Sequence, residues 1–316
     1  MGSFLAYTER AYQKIEQLCH TRYYIAYSKN DGNGAYRQME KELTYIKQKE
    51  IAPLLLTVYE AFTAVEAKKK EYYFSGSEGA SVVFYILGLT EIEPTSFIPK
   101  VYSEFLYGAE GEEKWNIEVR VAKKLYEKII KYFDNHIGEA RVRFQHNNDG
   151  TVRGINVSDP NVNIDLGEDK EFMFRFPVVG AKKNIIDKFT TQKSYIEIQP
   201  TSLESKIKCW SWIYGNAWDI AEELLKIRHI DVENFISNRE DVFEYLIRYG
   251  IDRKAAYKIS TDIKSGRINR KGWDKETYTL LNEAGIPKWY LDSCEKITYL
   301  GSRVNAIMAL KYFGLL

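Results

Sequence analysis

Cysteine and histidine are scarce in this chain of 316 residues, and neither occurs at a useful spacing. The cysteines form no Cys-x-x-Cys pair, and the histidines show no metal-ligand spacing. We therefore predict reduced thiols, as in a cytosolic protein, and neither a disulfide framework nor a zinc site. The residues concerned are Cys19, Cys209, Cys294, His20, His136, His146 and His229.

Long apolar runs and a surplus of one charge are also missing. The most apolar stretch, residues 54–56, lies among polar neighbours and is too short to span a bilayer. With no signal peptide pattern either, we expect a cytoplasmic location and no membrane partner. Lys and Arg number 45 against 44 Asp and Glu, a net charge of +1. Because a dedicated nucleic-acid binder usually has a basic excess, any DNA contact must depend on a local patch.

The first part of the chain has apolar residues at helical spacing. Residues 39–49 and 53–70 predict two helices, the second ending at the cations Lys68, Lys69 and Lys70, which suit the negative end of a helix dipole. A Gly/Ser loop and the apolar run 82–87 come next, and another helix is predicted at about residues 121–133.

The pattern then changes to alternation, which is typical of strands. Val142 and Phe144 alternate with polar residues, and an Asn-Asp-Gly turn at 148–150 predicts a hairpin with residues 151–157. Two further strands are predicted at 162–166 and 171–176. From about residue 218 the pattern is helical, with glycines at helix ends. The predicted fold is α+β, a small mixed or antiparallel sheet with helices followed by an all-helical region.

Three groups of residues are candidates for chemistry or binding. The loop at residues 76–81 could hold a phosphate on its backbone N–H groups, although a plain connector is the alternative and Glu78 would repel a triphosphate. A basic cluster around Gly266 and Trp273 suits DNA phosphates and a stacked base, with a solvated loop as the alternative. The acids Glu118, Asp159 and Asp165 form no Asp-x-Asp pair and look solvated on residue grounds alone. The basic cluster consists of Lys264, Arg267, Arg270 and Lys271.

Two C-terminal segments carry a resemblance to a known family. Residues 244–251 read Glu-Tyr-Leu-Ile-Arg-Tyr-Gly-Ile, and residues 286–299 read Ile-Pro-Lys-Trp-Tyr-Leu-Asp-Ser-Cys-Glu-Lys-Ile-Thr-Tyr. The first, with Ala-Tyr-Lys-Ile at 256–259, resembles the fingers segment YLI..GL....AFKIM of the PolC-type bacterial replicative DNA polymerase, the alpha subunit of DNA polymerase III. The second is similar to that family's VPEWYIDSCKKIKY.

Further segments resemble the same family and occur in its order. Residues 38–73 resemble the helical palm segment, and residues 76–81 with Thr-Glu-Ile at 90–92 resemble the GSRGS loop and the family's T-E-I sequence behind it. Residues 200–204 and 215–217 resemble the start of the fingers more weakly. The resemblance therefore implies a palm-like domain at 1–195 and a helical fingers-like domain at 196–316.

Departures from the family's motifs decide what the resemblance implies for function. The palm strand Pro-Asp-Ile-Asp, whose aspartates bind the catalytic metals, is replaced by a segment with Asn116 and Glu118. Asp165 is the counterpart of a third palm aspartate, so any metal bound by Glu118 and Asp165 should be weak or absent. Glu78 stands where the family's GSRGS loop has an arginine. The remaining nucleotide-binding counterparts are Gly76, Ser77, Gly79 and Ser81 in the loop, and Arg303 and Asn305 in place of the Lys and His of Lys-Ala-His-Ala.

The family's phosphoesterase, exonuclease and zinc-binding segments and most of its thumb find no counterpart in this sequence. We therefore predict a catalytically degenerate relative of the polymerase core, from a phage or mobile element, that binds DNA weakly, a nucleotide or replication proteins. One alternative is an active DNA polymerase with a reorganised site, which would need Mg²⁺. Another is a purely structural interaction module. No cofactor is expected otherwise, and neither haem nor a nicotinamide cofactor fits.

Overall fold

The computed structural model describes residues 2–27, 34–95, 115–136, 142–157, 172–228 and 232–316. The chain forms two compact units, Met1–Val179 and Gly180–Leu316. The assignment of palm-like and fingers-like domains to 1–195 and 196–316 stays a prediction. Over the described residues, no helix is both long and apolar enough to cross a bilayer.

The first unit combines helices with a five-stranded sheet in the described part of the chain. Its helices are α1 (Gly2–Ala26), α2 (Ala35–Gln48), α3 (Ala52–Ala64), α4 (Val82–Ile86) and α5 (Lys123–His136). Its strands are β1 (Tyr72–Phe74), β2 (Trp115–Val121), β3 (Val142–His146), β4 (Val152–Val157) and β5 (Phe172–Arg175).

The sheet has the order β1-β2-β5-β4-β3. Strands β2 and β5 are parallel, and the other three pairs are antiparallel. The prediction of a small mixed or antiparallel sheet within an α+β fold is therefore confirmed. The strand predicted at 162–166 lies outside the described residues.

Alternation along β2 explains how the sheet is oriented. Ile117, Val119 and Val121 are fully buried, whereas Glu118 and Arg120 between them are half-buried. Because successive side chains of a strand point to opposite faces, the two charged residues share the face away from the core. The apolar face of the sheet packs on α5, whose Leu125, Ile129 and Phe133 recur at helical spacing and are buried. Phe133 contacts Phe176 at the end of the sheet. Phe62 of α3 contacts Phe74 and Phe174 in the same core.

One helix prediction was wrong at its C-terminal end. The helix expected to continue to Lys70 ends at Ala64, and Glu66 then takes a left-handed backbone with φ 51°. Lys69 lies in a separate 3₁₀ turn and its ammonium group donates to the carbonyl of Gly88. The three lysines therefore do not complement the α3 dipole, because the chain has already turned away from the helix axis.

The second unit is helical throughout its described residues, apart from an isolated bridge between Asn238 and Gly301. This confirms the all-helical region predicted beyond residue 218. Polar N-caps such as Ser202, Asn238, Asp252 and Ser302 accept backbone N–H bonds at helix starts. The helices are α6 (Lys182–Thr191), α7 (Lys193–Ile198), α8 (Leu203–Ser211), α9 (Ala217–Arg228), α10 (Arg239–Arg248), α11 (Arg253–Lys264), α12 (Arg267–Lys271), α13 (Lys275–Glu283), α14 (Lys288–Lys296) and α15 (Arg303–Phe313).

Candidate functional site: the glycine loop and the β2 cleft

The glycine loop of residues 76–81 is mostly packed into the first unit. Gly79 and Ser81 are buried, and only Gly76 and Ser77 are half-buried. Ser81 is the N-cap of α4, and its hydroxyl accepts the Phe84 N–H at 3.1 Å. A phosphate could therefore reach the loop only at its Gly76–Ser77 end. The nucleotide-binding roles of all four loop residues stay predictions.

A buried carboxylate holds the end of this loop in place. Glu42 of α2 is 1% exposed, and no sequence signal singled it out as functional. Burial raises the pKa of Glu42 above its ordinary value, although its hydrogen bonds act in the opposite direction. Its carboxylate accepts from the Ser81 hydroxyl at 2.5 Å, from the N–H groups of Val82 and Val83 at 3.0 Å, and from the Gln38 amide at 3.2 Å.

Glu78, which stands where the family has an arginine, turns inward. It is 4% exposed, and its Oε1 accepts the backbone N–H of Glu118 at 3.0 Å. The carboxylate folds back over Gly76, where an added Cβ would lie only 2.2 Å from Glu78 Oε2. Gly76 is therefore needed for the close approach of the Glu78 carboxylate. Glu78 joins the loop to β2 and does not extend into solvent.

Glu118, the predicted metal ligand, is bound by a hydroxyl group and a guanidinium group of the protein. Ser75 donates its hydroxyl to Glu118 Oε1 at 2.6 Å, and Arg120 Nη2 lies 3.4 Å from the same oxygen. A hydroxyl donor and a guanidinium both stabilise an ionised carboxylate. Asn116 lies two residues earlier on β2, its backbone paired in register with Met173 of β5. Asp165, the third predicted carboxylate, lies outside the described residues.

Glu118 and Arg120 line an open cleft of about 470 Å³ at one end of the sheet. Arg153 of β4 and Arg175 of β5 line it as well, so the lining residues include three arginines and one acidic residue. In the parallel pairing of β2 with β5, Arg175 lies directly beside Glu118. The cleft therefore has a net positive charge in the part of the chain that the structure describes.

This charge does not fit a pair of divalent cations. Mg²⁺ binds through anionic oxygens at near-octahedral geometry, and two such ions need several carboxylates. The described lining residues offer only Glu118, which is already paired with Arg120. Within the described ranges, no group of three or more His, Cys, Asp or Glu side chains is placed to hold a metal ion.

Arg303 and Asn305, the predicted nucleotide-binding residues of the second unit, lie in the first turn of α15. Arg303 is 3% exposed, and its guanidinium forms a bidentate pair with Glu244 at 2.6 and 3.0 Å and contacts Asp241 at 3.0 Å. Asn305 is half-buried, and its backbone N–H donates to the Ser302 hydroxyl. The Arg303 guanidinium is thus held inside the unit by two half-buried carboxylates.

Asp241 is the centre of that ion network. Its second oxygen accepts from the buried Lys208 ammonium group at 3.0 Å. Burial by itself raises the pKa of Asp241, but the charges of Lys208 and Arg303 outweigh it and lower the pKa to about 2. The network is ionised at neutral pH and holds α8, α10 and α15 together.

The predicted DNA-binding cations lie at the end of α11 and along α12. Arg267 is exposed and pairs with Asp262 at 3.2 Å, and Arg270 donates to the Ser265 carbonyl at 2.9 Å. Lys271 is exposed and Lys264 is half-buried. Three of the four cations are therefore accessible, and their role in DNA binding stays a prediction.

Comparison with known proteins bears on the first unit. Residues 13–153 match the profile of the bacterial DNA polymerase III alpha NTPase domain, and this range contains Glu42, the glycine loop and the whole of β2. The chain is related to the PolC-type alpha subunit of DNA polymerase III. The C-terminal segments that carry the fingers resemblance lie outside the range of the profile.

Three PolC-type DNA polymerases III illustrate the relationship. The chain is 28% identical over 114 residues to that of Caldanaerobacter subterraneus, 29% over 121 residues to that of Pediococcus pentosaceus, and 30% over 112 residues to that of Staphylococcus aureus. The matches cover 35 to 36% of this chain and 8% of each PolC-type protein. The chain thus spans only a small part of the length of these relatives.

Sequence reasoning missed the arginines of the cleft. Arg120 could have been found, because it alternates with buried residues on the strand that carries Glu118. Arg153 and Arg175 lie on other strands, and no motif connects them with Glu118. Only the strand order brings these residues to one cleft.

Proposed function

We propose that this relative of the PolC-type alpha subunit has lost polymerase chemistry and acts as a binding protein for DNA, a nucleotide or replication proteins. The observation that carries the proposal is the pairing of Glu118 with Ser75 and Arg120 in a positively charged cleft. The two-metal mechanism of nucleotidyl transfer requires the opposite charge at this position.

Two further contacts support the loss of chemistry. Glu78 stands where the family has an arginine, and its carboxylate contacts the β2 backbone. The glycine loop therefore lacks that cation for a triphosphate. Arg303 is held by Glu244 and Asp241, so withdrawing it toward a nucleotide would take both guanidinium bonds from Glu244 and one of two cations from Asp241. At the first position the cation is missing, and at the second it is bound to carboxylates of the protein.

Primer extension tests the loss of chemistry. We expect no DNA synthesis by the wild type with Mg²⁺ or Mn²⁺, because losing a few kcal/mol of charge stabilisation costs on the order of 10²–10³ in rate. Synthesis by the wild type that disappears in Glu118→Ala but survives in Lys131→Ala would establish the active polymerase instead. The variant Asn116→Asp/Glu118→Asp tests restoration, and it leaves Glu78 in place because this buried carboxylate accepts the backbone N–H of Glu118.

DNA binding is tested separately at the basic cluster of α11 and α12. We expect weak, salt-sensitive binding of single-stranded and primer–template DNA. Each lost phosphate contact should reduce the slope of log affinity against log salt by roughly one unit. The test compares the wild type with a fourfold alanine variant, and affinity that this variant leaves unchanged would remove the cluster from the proposal. Absence of both synthesis and DNA binding would favour the structural interaction module. The variant changes Lys264, Arg267, Arg270 and Lys271.

A further inference from the structure

The arginines of the β2 cleft lie outside the set of residues that the sequence predicted to bind a nucleotide. Arg175 lies beside Glu118 across the parallel strand pair, and Arg120 follows Glu118 by two residues on the same face of β2. Arg153 reaches the cleft from β4, next to Gly154, which pairs with Arg175. Three neighbouring strands therefore each contribute one arginine to the lining of the cleft.

The positive charge of this set is only partly balanced. The Arg120–Glu118 pair at 3.4 Å is half-exposed, with 38% and 31% of the side chains accessible. Arg175 donates its Nε to the Met173 sulfur at 2.8 Å, a weak acceptor without charge. Within the described part of the chain, neither Arg153 nor Arg175 forms an ion pair with a carboxylate. Like charges brought together at a cleft are unfavourable until an anion binds between them.

The chemistry of the set identifies the class of ligand. A guanidinium has five N–H donors in a planar fork that matches phosphate oxygens, and it keeps its charge at every physiological pH. A volume of about 470 Å³ lies within the range of small-molecule sites. Tyr126, Pro177 and Val178 add a partly apolar wall that could contact an attached organic group.

We propose that the β2 cleft binds a polyphosphate anion directly on Arg120, Arg153 and Arg175, without a divalent cation. The anion is either inorganic polyphosphate or the polyphosphate part of a nucleotide, which share the same oxyanion chemistry. The inference rests on the proposed loss of metal chemistry at Glu118. It uses residues other than the glycine loop, Arg303 and the α11–α12 cluster.

Calorimetric titration of the full chain in EDTA tests the proposal, with tripolyphosphate and ATP as separate probes. We expect saturable binding that weakens at least tenfold in Arg153→Ala and in Arg175→Ala, and less in Arg153→Lys, which keeps the charge but loses the fork. Lys131→Ala removes an exposed cation of α5 outside the cleft and should bind as the wild type does. Tighter binding of ATP than of tripolyphosphate would assign the ligand as a nucleotide, and equal affinity would assign it as inorganic polyphosphate.

A gain-of-binding variant separates ligand binding from misfolding. Glu118→Gln removes the carboxylate of the cleft at constant shape and should tighten polyphosphate binding several-fold. The proposal is overturned if binding requires Mg²⁺, if the arginine variants bind normally, if Glu118→Gln weakens binding, or if only an oligonucleotide binds. These readouts are independent of primer extension. If polyphosphate does not bind, the proposed loss of polymerase chemistry still stands. If the protein synthesises DNA, the proposed loss of chemistry is overturned, whatever the titration shows.

Discussion

Replacing Glu42 by alanine should destabilise the first unit more than any exposed substitution on the same helix. The side chain is fully buried between α2 and the start of α4, and its carboxylate is the common acceptor for the donors at the end of the glycine loop. Alanine would leave the Ser81 hydroxyl and the N–H groups of Val82 and Val83 without this acceptor in a dry environment.

The magnitude can be worked out from those three donors. A hydrogen bond to a charged group contributes about 1.5–3 kcal/mol net, and a buried donor left without a partner costs about 1–3 kcal/mol. The cost of burying the carboxylate itself offsets part of this. We therefore expect Glu42→Ala to lower the free energy of unfolding by about 3–5 kcal/mol. Glu42→Gln keeps one acceptor oxygen and should cost about 1–2 kcal/mol.

Denaturant unfolding and hydrogen exchange provide the assay. Lys41→Ala, an exposed change on α2, is the control and should alter stability by less than about 0.5 kcal/mol. The amides of Val82 and Val83 should exchange faster in Glu42→Ala, because their acceptor is gone. A loss of stability below about 1 kcal/mol with unchanged exchange at these two amides would refute the reasoning.

The pH dependence gives an independent check on Glu42. Since burial raises its folded-state pKa above the unfolded value of 4.5, the native state binds the proton more tightly. The stabilisation of the wild type relative to Glu42→Gln is therefore fully present below pH 4.5. It should decline as the pH rises through the folded-state pKa and stay constant above it. A difference that instead grows with pH over this window would show that the carboxylate is bound preferentially as an anion.

Three further predictions concern the remaining polar network and the sheet. Arg303→Ala should destabilise the second unit by about 3–5 kcal/mol in urea unfolding, with a smaller loss for Arg303→Lys, because Glu244 loses its bidentate partner and Asp241 loses one of its two cations. Equal losses in the two variants would mean that charge is irrelevant there. Because the folded-state pKa of Asp241 is lowered to about 2, its contribution should be present above pH 3.8 and be lost as the pH falls toward 2, a dependence that Asp241→Asn should lack. Gly154→Ala should destabilise the first unit by about 1–3 kcal/mol, because a Cβ there would lie 2.3 Å from the Phe174 carbonyl oxygen. Gly180→Ala, whose nearest neighbour atom would be at 3.5 Å, should be close to neutral, and thermal melts that fail to separate the two would contradict the geometry.

Local patterns were sufficient for much of the fold. The alternation at Val142 and Phe144 predicted β3, and the Asn-Asp-Gly turn after it predicted the hairpin with β4. The helical pattern beyond residue 218 predicted the helices of the second unit from α9 onward. These signals work because a strand or a helix imposes its own period on the residues that it buries. The end of α3 was missed because a run of lysines suits the end of a helix and a separate turn equally well.

The candidate site depended on contacts between residues far apart in the chain. The sequence predicted that Arg303 binds a nucleotide. In the structure its guanidinium donates instead to the carboxylate of Asp241, 62 residues earlier. Glu118 was compared with metal-binding aspartates, but its charge environment depends on Arg175 of a strand that pairs with β2 in parallel. The identity of each residue and its period were determined by the sequence alone. The strand order and helix packing decided which charges meet, because electrostatic neighbours are set by distance in space and not by separation along the chain.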